Sequence, residues 1–269
     1  MSLTYECGLI TGASAGLGEE FARQLALFLQ KVVLVARRRD RLEKLATELE
    51  ASGIDVRVIA ADLSSSEERE RLAREVEQAG WTVDLLVNNA GLGDYGDFAG
   101  SEWARNQAML QVNIEALTHL THLFLPGMVA AQRGGIINVS SLASKLPIPD
   151  FAVYAATKAY VSSFSEALRL EVRELGIEVV AVCPGPVKTE FGSVAIRQEN
   201  DSREPGGRAA FYVEKAKVVS DALRSLARGR PRIYPGLQVT LVAAGISLLP
   251  MALLRLIMGS RPRRQKLLE

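Results

Sequence analysis

The sequence predicts an α/β fold in which helices cover both faces of a parallel sheet. Short runs rich in Val, Ile and Leu alternate with longer segments whose apolar residues recur every three or four positions. The runs lack the polar alternation typical of a sheet with one face in water. They span residues 6–10, 31–35, 55–60, 83–87, 135–139 and 177–182. Because crossovers between parallel strands are right-handed, this order predicts a three-layer, doubly wound sheet.

Length and composition are consistent with one large domain, residues 1–236, followed by an apolar and basic extension, residues 237–269. The 32 basic and 31 acidic residues nearly cancel, so nothing in the charge favours a nucleic-acid partner. Cys7 and Cys183 lie in apolar runs, which predicts buried, reduced thiols. The first ten residues lack the pattern of a signal peptide. These features favour a cytoplasmic protein.

A glycine-rich turn follows the first predicted strand and opens the first helix. Glycines there permit a tight turn and bring backbone N–H groups close to a pyrophosphate, next to the positive end of a helix dipole. An ordinary strand-to-helix turn is the alternative, but strand, turn and helix occur in the order that a dinucleotide site requires. The predicted contacts are Gly12, Ser14, Gly16, Leu17 and Gly18.

A basic cluster follows the second predicted strand. Proteins that bind NAD place an acid here against the ribose 2′-hydroxyl, whereas this chain has Arg37 and Arg38. A guanidinium binds phosphate through two parallel hydrogen bonds, so these arginines predict a preference for NADP(H) over NAD(H). Arg39 and Arg41 are expected to be solvated residues at the start of the next helix.

Two further segments lie where predicted strands end. Asp62 and Leu63 follow the third strand, where a carboxylate can accept a hydrogen bond from an adenine amino group. Asn89, Ala90 and Gly91 follow the fourth, and their small side chains would let a ribose approach the backbone. Each segment alone could be a plain turn. Open α/β sheets bind ligands at the carboxyl ends of their strands, which favours the coenzyme-binding interpretation.

Tyr154 and Lys158 are four residues apart in a predicted helix that spans about residues 152–175. Residues at this spacing share a helix face, so the ammonium group is expected to lower the pKa of the phenol and suit it to proton transfer. Ser141 follows the fifth strand and is placed to donate a hydrogen bond to the same substrate oxygen. Asn113 is unfavourable inside a helix, so it is either exposed or functional.

Together these motifs resemble the classical short-chain dehydrogenase/reductase family, over residues 5 to about 190. The matching pieces are residues 11–18, residues 88–91, Asn113, Ser141, Tyr154 with Lys158, and residues 184–189. The resemblance implies a Rossmann-like sheet with strand order 3-2-1-4-5-6-7. It also implies a nicotinamide-dependent oxidoreductase that reduces a ketone or aldehyde to an alcohol, or runs the reverse reaction. With Arg37 and Arg38, the expected coenzyme is NADP(H).

The resemblance further implies a role for each residue. Tyr154 would exchange a proton with the substrate oxygen, Lys158 would hold the nicotinamide ribose, and Ser141 would orient the substrate. Asn113 would hold a water molecule in a proton relay. The implied nicotinamide pocket consists of Pro184, Gly185, Val187 and Thr189. The chain departs from the family at Ala15, where many NADP-dependent members have a basic residue, so the coenzyme preference depends on the two arginines.

Alternatives remain at this point. A non-catalytic NADP(H)-binding sensor would have little need for all four catalytic residues, and a membrane-associated reductase of lipid-like substrates is the other possibility. The resemblance also implies a homodimer or homotetramer formed through the helices at about 102–131 and 151–175. His119 and His122 are expected to be ordinary helix residues and not metal ligands.

The C-terminal part is harder to interpret. Residues 184–210 are predicted to form the substrate loop, residues 211–228 a helix, and residues 232–234 a last short strand. Residues 237–258 are almost wholly apolar but are interrupted by Gly245, Ser247, Pro250 and Arg255. Basic residues follow within 261–266. The extension could cover an apolar substrate, form an oligomer contact, or associate weakly with a membrane surface through residues 237–266.

Overall fold

The computed structural model describes residues 5–196 and 212–260. Within these residues, seven parallel strands form one sheet in the order 3-2-1-4-5-6-7, as predicted. The strands are β1 (Cys7–Thr11), β2 (Lys31–Ala36), β3 (Asp55–Ala60), β4 (Leu85–Asn88), β5 (Gly134–Val139), β6 (Ile177–Val182) and β7 (Arg232–Ile233). Most of the predicted substrate loop, the start of the predicted helix 211–228, and the basic residues at 261–266 lie outside the described residues.

Helices connect the strands and form the two outer layers. They are α1 (Gly16–Leu25), α2 (Arg39–Glu50), α3 (Ser66–Gln78), α4 (Trp103–Leu110), α5 (Leu117–Ala131), α6 (Ala152–Val172), α7 (Glu190–Ala195), α8 (Lys215–Ala227), α9 (Leu237–Leu248) and α10 (Met251–Gly259). A π-helical turn, Gln111–Ala116, joins α4 to α5 without a break. The predicted helices at 102–131 and 152–175 are therefore present, and the second ends in a short 3₁₀ turn.

The two faces of the sheet bury separate apolar layers. One layer packs the sheet against α1, α2 and α8, with Phe21, Leu42 and Val219 fully buried. The other packs it against α3, α5 and α6 through residues such as Leu72 and Leu120. Burial of apolar surface on both faces explains why the strands show no polar alternation.

Polar side chains are buried where the central strands end. The hydroxyl of Thr11 donates to the carbonyl oxygen of Val87 over 3.2 Å, which ties β1 to β4. In the neighbouring strands, Nδ2 of Asn88 donates to Oδ1 of Asn138 over 2.9 Å. Asn138 is itself fully buried and donates to Ser165 on α6. These bonds fix the edge of the sheet at which the predicted site residues lie.

The described part of the C-terminal extension, residues 237–260, folds back on the body of the protein. Helix α9 buries Val239 and Ala243 and packs against the 3₁₀ turn Leu142–Lys145, where Nζ of Lys145 donates to Oγ of Ser247 over 2.7 Å. Helix α10 then turns away from α9 by 116°. Among the described helices none is long and apolar enough to cross a bilayer by itself, although the bent pair α9–α10 meets that length and composition together.

Candidate active site

The glycine loop forms a cradle that only residues without a side chain can build. Gly12 and Gly16 have φ values of +67° and +61°, a backbone region that disfavours other residues. At Gly18, an added Cβ would lie 2.2 Å from the carbonyl oxygen of Gly12. Leu17 packs partly buried against the core. Helix α1 starts at Gly16, and no side chain of the described residues caps it. Its first N–H groups are therefore left for an anion.

The segment after β4 is bonded directly to this loop. Nδ2 of Asn89 donates to the carbonyl oxygen of Thr11 over 2.9 Å. The Thr11 hydroxyl in turn accepts from the backbone N–H groups of Asn89 and Ala90, both at 2.9 Å. An added Cβ at Gly91 would lie 3.3 Å from Nζ of Lys158. The segment 89–91 therefore joins the glycine loop to the predicted catalytic residues.

The basic cluster divides into residues with different neighbours. The guanidinium of Arg38 donates to Oγ of Ser14 in the glycine loop, over 3.2 Å from Nη2. Arg37 is exposed and lies near Asp62, whose pKa its charge helps to lower. Arg38 therefore fits the predicted phosphate contact better than Arg37. The expectation that Arg41 is only solvated is wrong, because its guanidinium pairs with Glu190 at 2.7 Å.

Asp62 and Leu63 hold the turn after β3 in place. Oδ1 of Asp62 accepts from the backbone N–H of Ser64 over 3.0 Å and from its hydroxyl over 2.8 Å. These bonds, the backbone one above all, lower the pKa of Asp62. The carboxylate is exposed, while Leu63 is buried. Asp62 is thus an ionised hydrogen-bond acceptor at the carboxyl ends of the strands, the same end of the sheet as the glycine loop.

Tyr154 and Ser141 come together at the end of β5. Oγ of Ser141 accepts from the backbone N–H of Ala143 over 3.1 Å, which fixes the serine at the start of a 3₁₀ turn. A hydrogen bond from Ser141 to the phenol acts to lower the pKa of Tyr154. Ser140 points elsewhere: its hydroxyl donates to the carbonyl oxygen of Lys158 over 2.8 Å. Ser141 is therefore the serine beside Tyr154, and its catalytic role stays a prediction.

Burial controls the proton affinity of Tyr154. The side chain is 7% exposed, and removal from water raises its pKa to about 12, a larger effect than the opposing bond from Ser141. The lowered pKa predicted from the sequence is therefore wrong for the chain by itself. Nζ of Lys158 lies 5.7 Å from the centre of the tyrosine ring and donates instead to the carbonyl oxygen of Val139 over 2.9 Å.

Lys158 is a buried cation. It is 4% exposed, and desolvation lowers its pKa to about 8. At neutral pH the ammonium is therefore protonated but held at a cost to stability. Its donors face the interior between β5 and Gly91. An ammonium at this place suits the hydroxyl groups of a ribose.

The sequence left open whether Asn113 is exposed or functional, and the structure shows that it is buried. It is 1% exposed and lies within the π-helical turn between α4 and α5. Its amide bonds both backbone groups of Leu92, with Oδ1 accepting over 2.8 Å and Nδ2 donating over 2.9 Å. Nδ2 also donates to Thr157 over 3.0 Å. Asn113 therefore holds the segment after β4 against α6.

The segment after β6 closes over the glycine loop. The backbone N–H of Leu142 donates to the carbonyl oxygen of Pro184 over 2.8 Å, which joins this segment to the turn that holds Ser141. Gly185 and Val187 follow, and Val187 pairs with Val213. Thr189 packs on Gly16, where an added Cβ would come within 3.3 Å of it. The predicted nicotinamide residues therefore lie between the glycine loop and Ser141.

Apolar side chains surround Tyr154, and sequence reasoning missed them. The ring of Phe151 stacks on Tyr154 with centroids 4.2 Å apart, and Phe191 lies at 5.5 Å on another side. Met109 and Ala143 belong to the same cluster. Phe151 could have been predicted, because it lies three residues before Tyr154 in the sequence. Nothing in the sequence indicates that Phe191 packs against Tyr154. These residues form an apolar wall around the side chain of Tyr154.

The residues present fit NADP(H). The glycine cradle and the uncapped start of α1 suit a pyrophosphate, and Arg38 beside Ser14 suits a phosphate at the adenosine ribose. Among the described residues, no group of three or more His, Cys, Asp or Glu side chains is placed to hold a metal ion. His119 accepts from Nε of the buried Arg69 over 3.1 Å, which gives it a structural contact.

The pKa of Lys158 leads to a prediction about stability. Because its folded pKa, about 8, is below the ordinary 10.5, the unfolded chain binds more protons between these pH values. The penalty for burying the ammonium is thus complete below pH 8 and disappears as the pH rises towards 10.5. We expect Lys158→Met to raise the free energy of unfolding by about 3 kcal/mol at neutral pH, with the difference shrinking through that window.

Urea unfolding of both proteins at several pH values measures this difference. Lys217→Met, on the exposed face of α8, is the control and should show no such pH dependence. A Lys158→Met difference that stays constant with pH would contradict the assignment of a depressed pKa.

Comparison with known proteins agrees with the geometry. The family model for short chain dehydrogenases matches residues 6–200. The very-long-chain 3-oxoacyl-CoA reductase of Homo sapiens is 34% identical over 194 residues, a match that covers 70% of this chain and 62% of that enzyme. The ketoacyl reductase HetN of Nostoc is 34% identical over 186 residues, covering 69% and 65%. The matches thus span less than two thirds of these relatives.

A solved structure extends the likeness to nearly the whole chain. A short-chain dehydrogenase from Sphingobium yanoikuyae in complex with NADPH superposes with a TM-score of 0.78 at 28% identity, covering 97% of this chain and 98% of that one. The strand order, the glycine loop and the family match agree. The chain therefore belongs to the short-chain dehydrogenase/reductase family of oxidoreductases.

Proposed function

We propose that this protein uses NADPH to reduce a ketone that carries a large apolar group. The observation that carries the proposal is the position of the Tyr154 phenol, next to Ser141 and Lys158 and inside an apolar wall. A phenol at this place can give its proton to a carbonyl oxygen, which is the role needed in the direction of reduction.

The residues divide the chemistry between them. Oγ of Ser141 and Oη of Tyr154 would both donate to the carbonyl oxygen, which orients it and polarises the C=O bond. NADPH, when bound, supplies the hydride that forms the new C–H bond. Tyr154 gives its proton to the oxygen as the C=O π bond breaks, so the product is an alcohol and the phenolate is left beside Lys158. The positive charge of Lys158 would stabilise that phenolate. Asn113 would keep the neighbouring segments in place through its bonds to Leu92 and Thr157.

Two observations support an apolar substrate. Phe151, Phe191 and Met109 surround the phenol, so a polar substituent would lose its hydration there without compensation. The human relative is named for very-long-chain 3-oxoacyl-CoA, and the Nostoc relative is a ketoacyl reductase. We therefore propose 3-oxoacyl thioesters and comparably bulky ketones as the substrate class.

A panel of carbonyl compounds of increasing apolar size tests this proposal. The loss of NADPH absorbance gives kcat/KM for each compound, and we expect kcat/KM to rise with the size of the apolar group. Small polar ketones are the comparison. Equal turnover across the panel would remove the apolar substrate class, and no turnover of any carbonyl would remove the reductase activity.

The helices that flank the site supply the proposed homo-oligomer contact. Leu110 on α4 and Leu170 on α6 are exposed apolar residues. We propose that the α4–α6 surface pairs two protomers. Light scattering after size-exclusion chromatography reports the number of chains directly.

We also propose that the protein, otherwise in the cytoplasm, associates with anionic membrane surfaces through α9 and α10. Between residues 237 and 260 the one charged side chain is Arg255, and four basic residues follow at 261–266. Large apolar side chains on both helices face solvent: Leu237, Leu241, Leu248, Met251, Leu253, Leu256 and Ile257. An apolar face next to positive charge suits the interface of an anionic bilayer.

Flotation with vesicles tests this association. We expect binding to vesicles that contain phosphatidylserine and little binding to pure phosphatidylcholine. Leu256→Glu, at a side chain 69% exposed, should abolish this binding. A carboxylate on the apolar face opposes insertion into the bilayer interface and is repelled by anionic lipids. Leu27→Glu, at a side chain 77% exposed on the far end of α1, is the matched control and should bind normally. Loss in both variants, or in neither, would contradict the assignment to this surface.

A further inference from the structure

One carboxylate bridges the two arginines beside the glycine loop. Oε2 of Glu190 lies 3.0 Å from Nη1 of Arg38, and Oε1 lies 2.7 Å from Nη1 of Arg41. The arginines are at the start of α2, whereas Glu190 begins α7, about 150 positions later in the chain. The bridge therefore connects the coenzyme end of the sheet to the segment after β6.

The bridge uses the groups that a 2′-phosphate would need. Arg38 bonds Ser14 of the glycine loop with the same guanidinium that it offers to Glu190. A guanidinium binds carboxylate and phosphate through the same planar geometry, so the two anions compete for it. Arg41 and then Arg38 lower the pKa of Glu190, so the competitor is ionised at neutral pH.

We propose that Glu190 competes with the 2′-phosphate of the coenzyme for Arg38 and so sets how tightly the protein binds NADP(H), while leaving NAD(H) unaffected. The inference rests on the NADP(H) preference proposed above. When the phosphate takes Arg38, Glu190 keeps Arg41. Arg41 and Glu190 line a cavity beside the glycine loop, together with Lys44 and Lys188 and the carboxylates of Glu19 and Glu48. Glu190 is a specificity-determining residue in this view, because its effect depends on the presence of the phosphate.

Glu190→Gln gives the test, since it keeps the shape and removes the charge. The probes are adenosine 2′,5′-bisphosphate and adenosine 5′-phosphate, which differ only in the 2′-phosphate, and calorimetry measures their Kd values. We expect Glu190→Gln to bind the bisphosphate about twofold to fivefold more tightly than the unaltered protein, in line with the strength of exposed charge pairs. Binding of the monophosphate should not change.

Glu43→Gln is the matched control. Glu43 is an exposed acid on α2 that pairs with Arg39 at 3.3 Å, so its removal makes the same change in net charge without touching Arg38. It should leave both Kd values unaltered. The gain in Glu190→Gln should also shrink at high salt, because the competing charges are exposed and screened.

The outcomes separate this inference from the proposed function. If the unaltered protein binds both probes equally, the NADP(H) preference is wrong and the inference falls with it. If the unaltered protein prefers the bisphosphate but Glu190→Gln binds it no more tightly, only the inference is wrong. Thermal unfolding of the variant without any nucleotide checks that the fold is kept, as expected for an exposed side chain.

Discussion

Replacing Tyr154 with Phe should lower kcat by about a hundredfold to ten-thousandfold, the range that positioned proton donors supply. The change removes one oxygen atom and leaves the ring packed between Phe151 and Phe191. NADPH binding, measured by coenzyme fluorescence, should be nearly unaltered. A lower kcat with unaltered NADPH binding would show that the variant has lost a proton donor and that its coenzyme site is intact.

Tyr160→Phe is the control for this variant. Tyr160 lies on the same helix but is exposed, and its hydroxyl is 3.0 Å from that of Thr118. Its loss should leave kcat within about twofold, as is usual for surface substitutions. A Tyr154→Phe protein that retains most of its turnover would show that another group supplies the proton.

Arg38→Ala should weaken NADPH binding by about tenfold to a hundredfold and NADH binding by little, because hydrogen bonds to charged groups are worth about 1.5–3 kcal/mol. The effect should exceed that of Arg37→Ala, since Arg38 is the residue bonded to Ser14. Fluorescence titration with each coenzyme measures the two Kd values.

Arg39→Ala controls for the loss of a positive charge. Arg39 is adjacent in sequence but pairs with Glu43 along α2. It should weaken NADPH and NADH to the same small extent. Equal losses of both coenzymes in Arg38→Ala would show that this guanidinium does not bind the phosphate.

The sheet could be predicted from the sequence because its signal is local. Most strands are short runs dominated by apolar residues, because both faces of the sheet are covered by helices. Strand ends were less accurate. The run predicted at 83–87 forms the strand Leu85–Asn88, so it starts two residues later and ends one residue later than predicted. The Asp84 carboxylate just before it is buried and accepts from the backbone N–H of Cys7 over 2.9 Å.

The candidate site was predictable where neighbours in sequence act together, as in the glycine loop or the Tyr154 and Lys158 pair. It was not predictable where distant segments meet. Phe191 reaches Tyr154 and Glu190 reaches Arg38 only because the segment after β6 folds over the glycine loop. The pKa of Tyr154 was misjudged for the same reason: spacing indicated a nearby amine, but burial depends on the whole fold.

The position of Phe191 has a consequence for the order of events during turnover. Tyr154 is 7% exposed, and the rings of Phe151 and Phe191 pack against it. Phe191 directly follows Glu190, the residue that ties α7 to Arg38 and Arg41. A coenzyme phosphate that takes Arg38 would leave Glu190 with Arg41 alone, so α7 would lose one of its two ties to the start of α2. For the proposed reduction, this favours an order in which the nucleotide binds before the ketone.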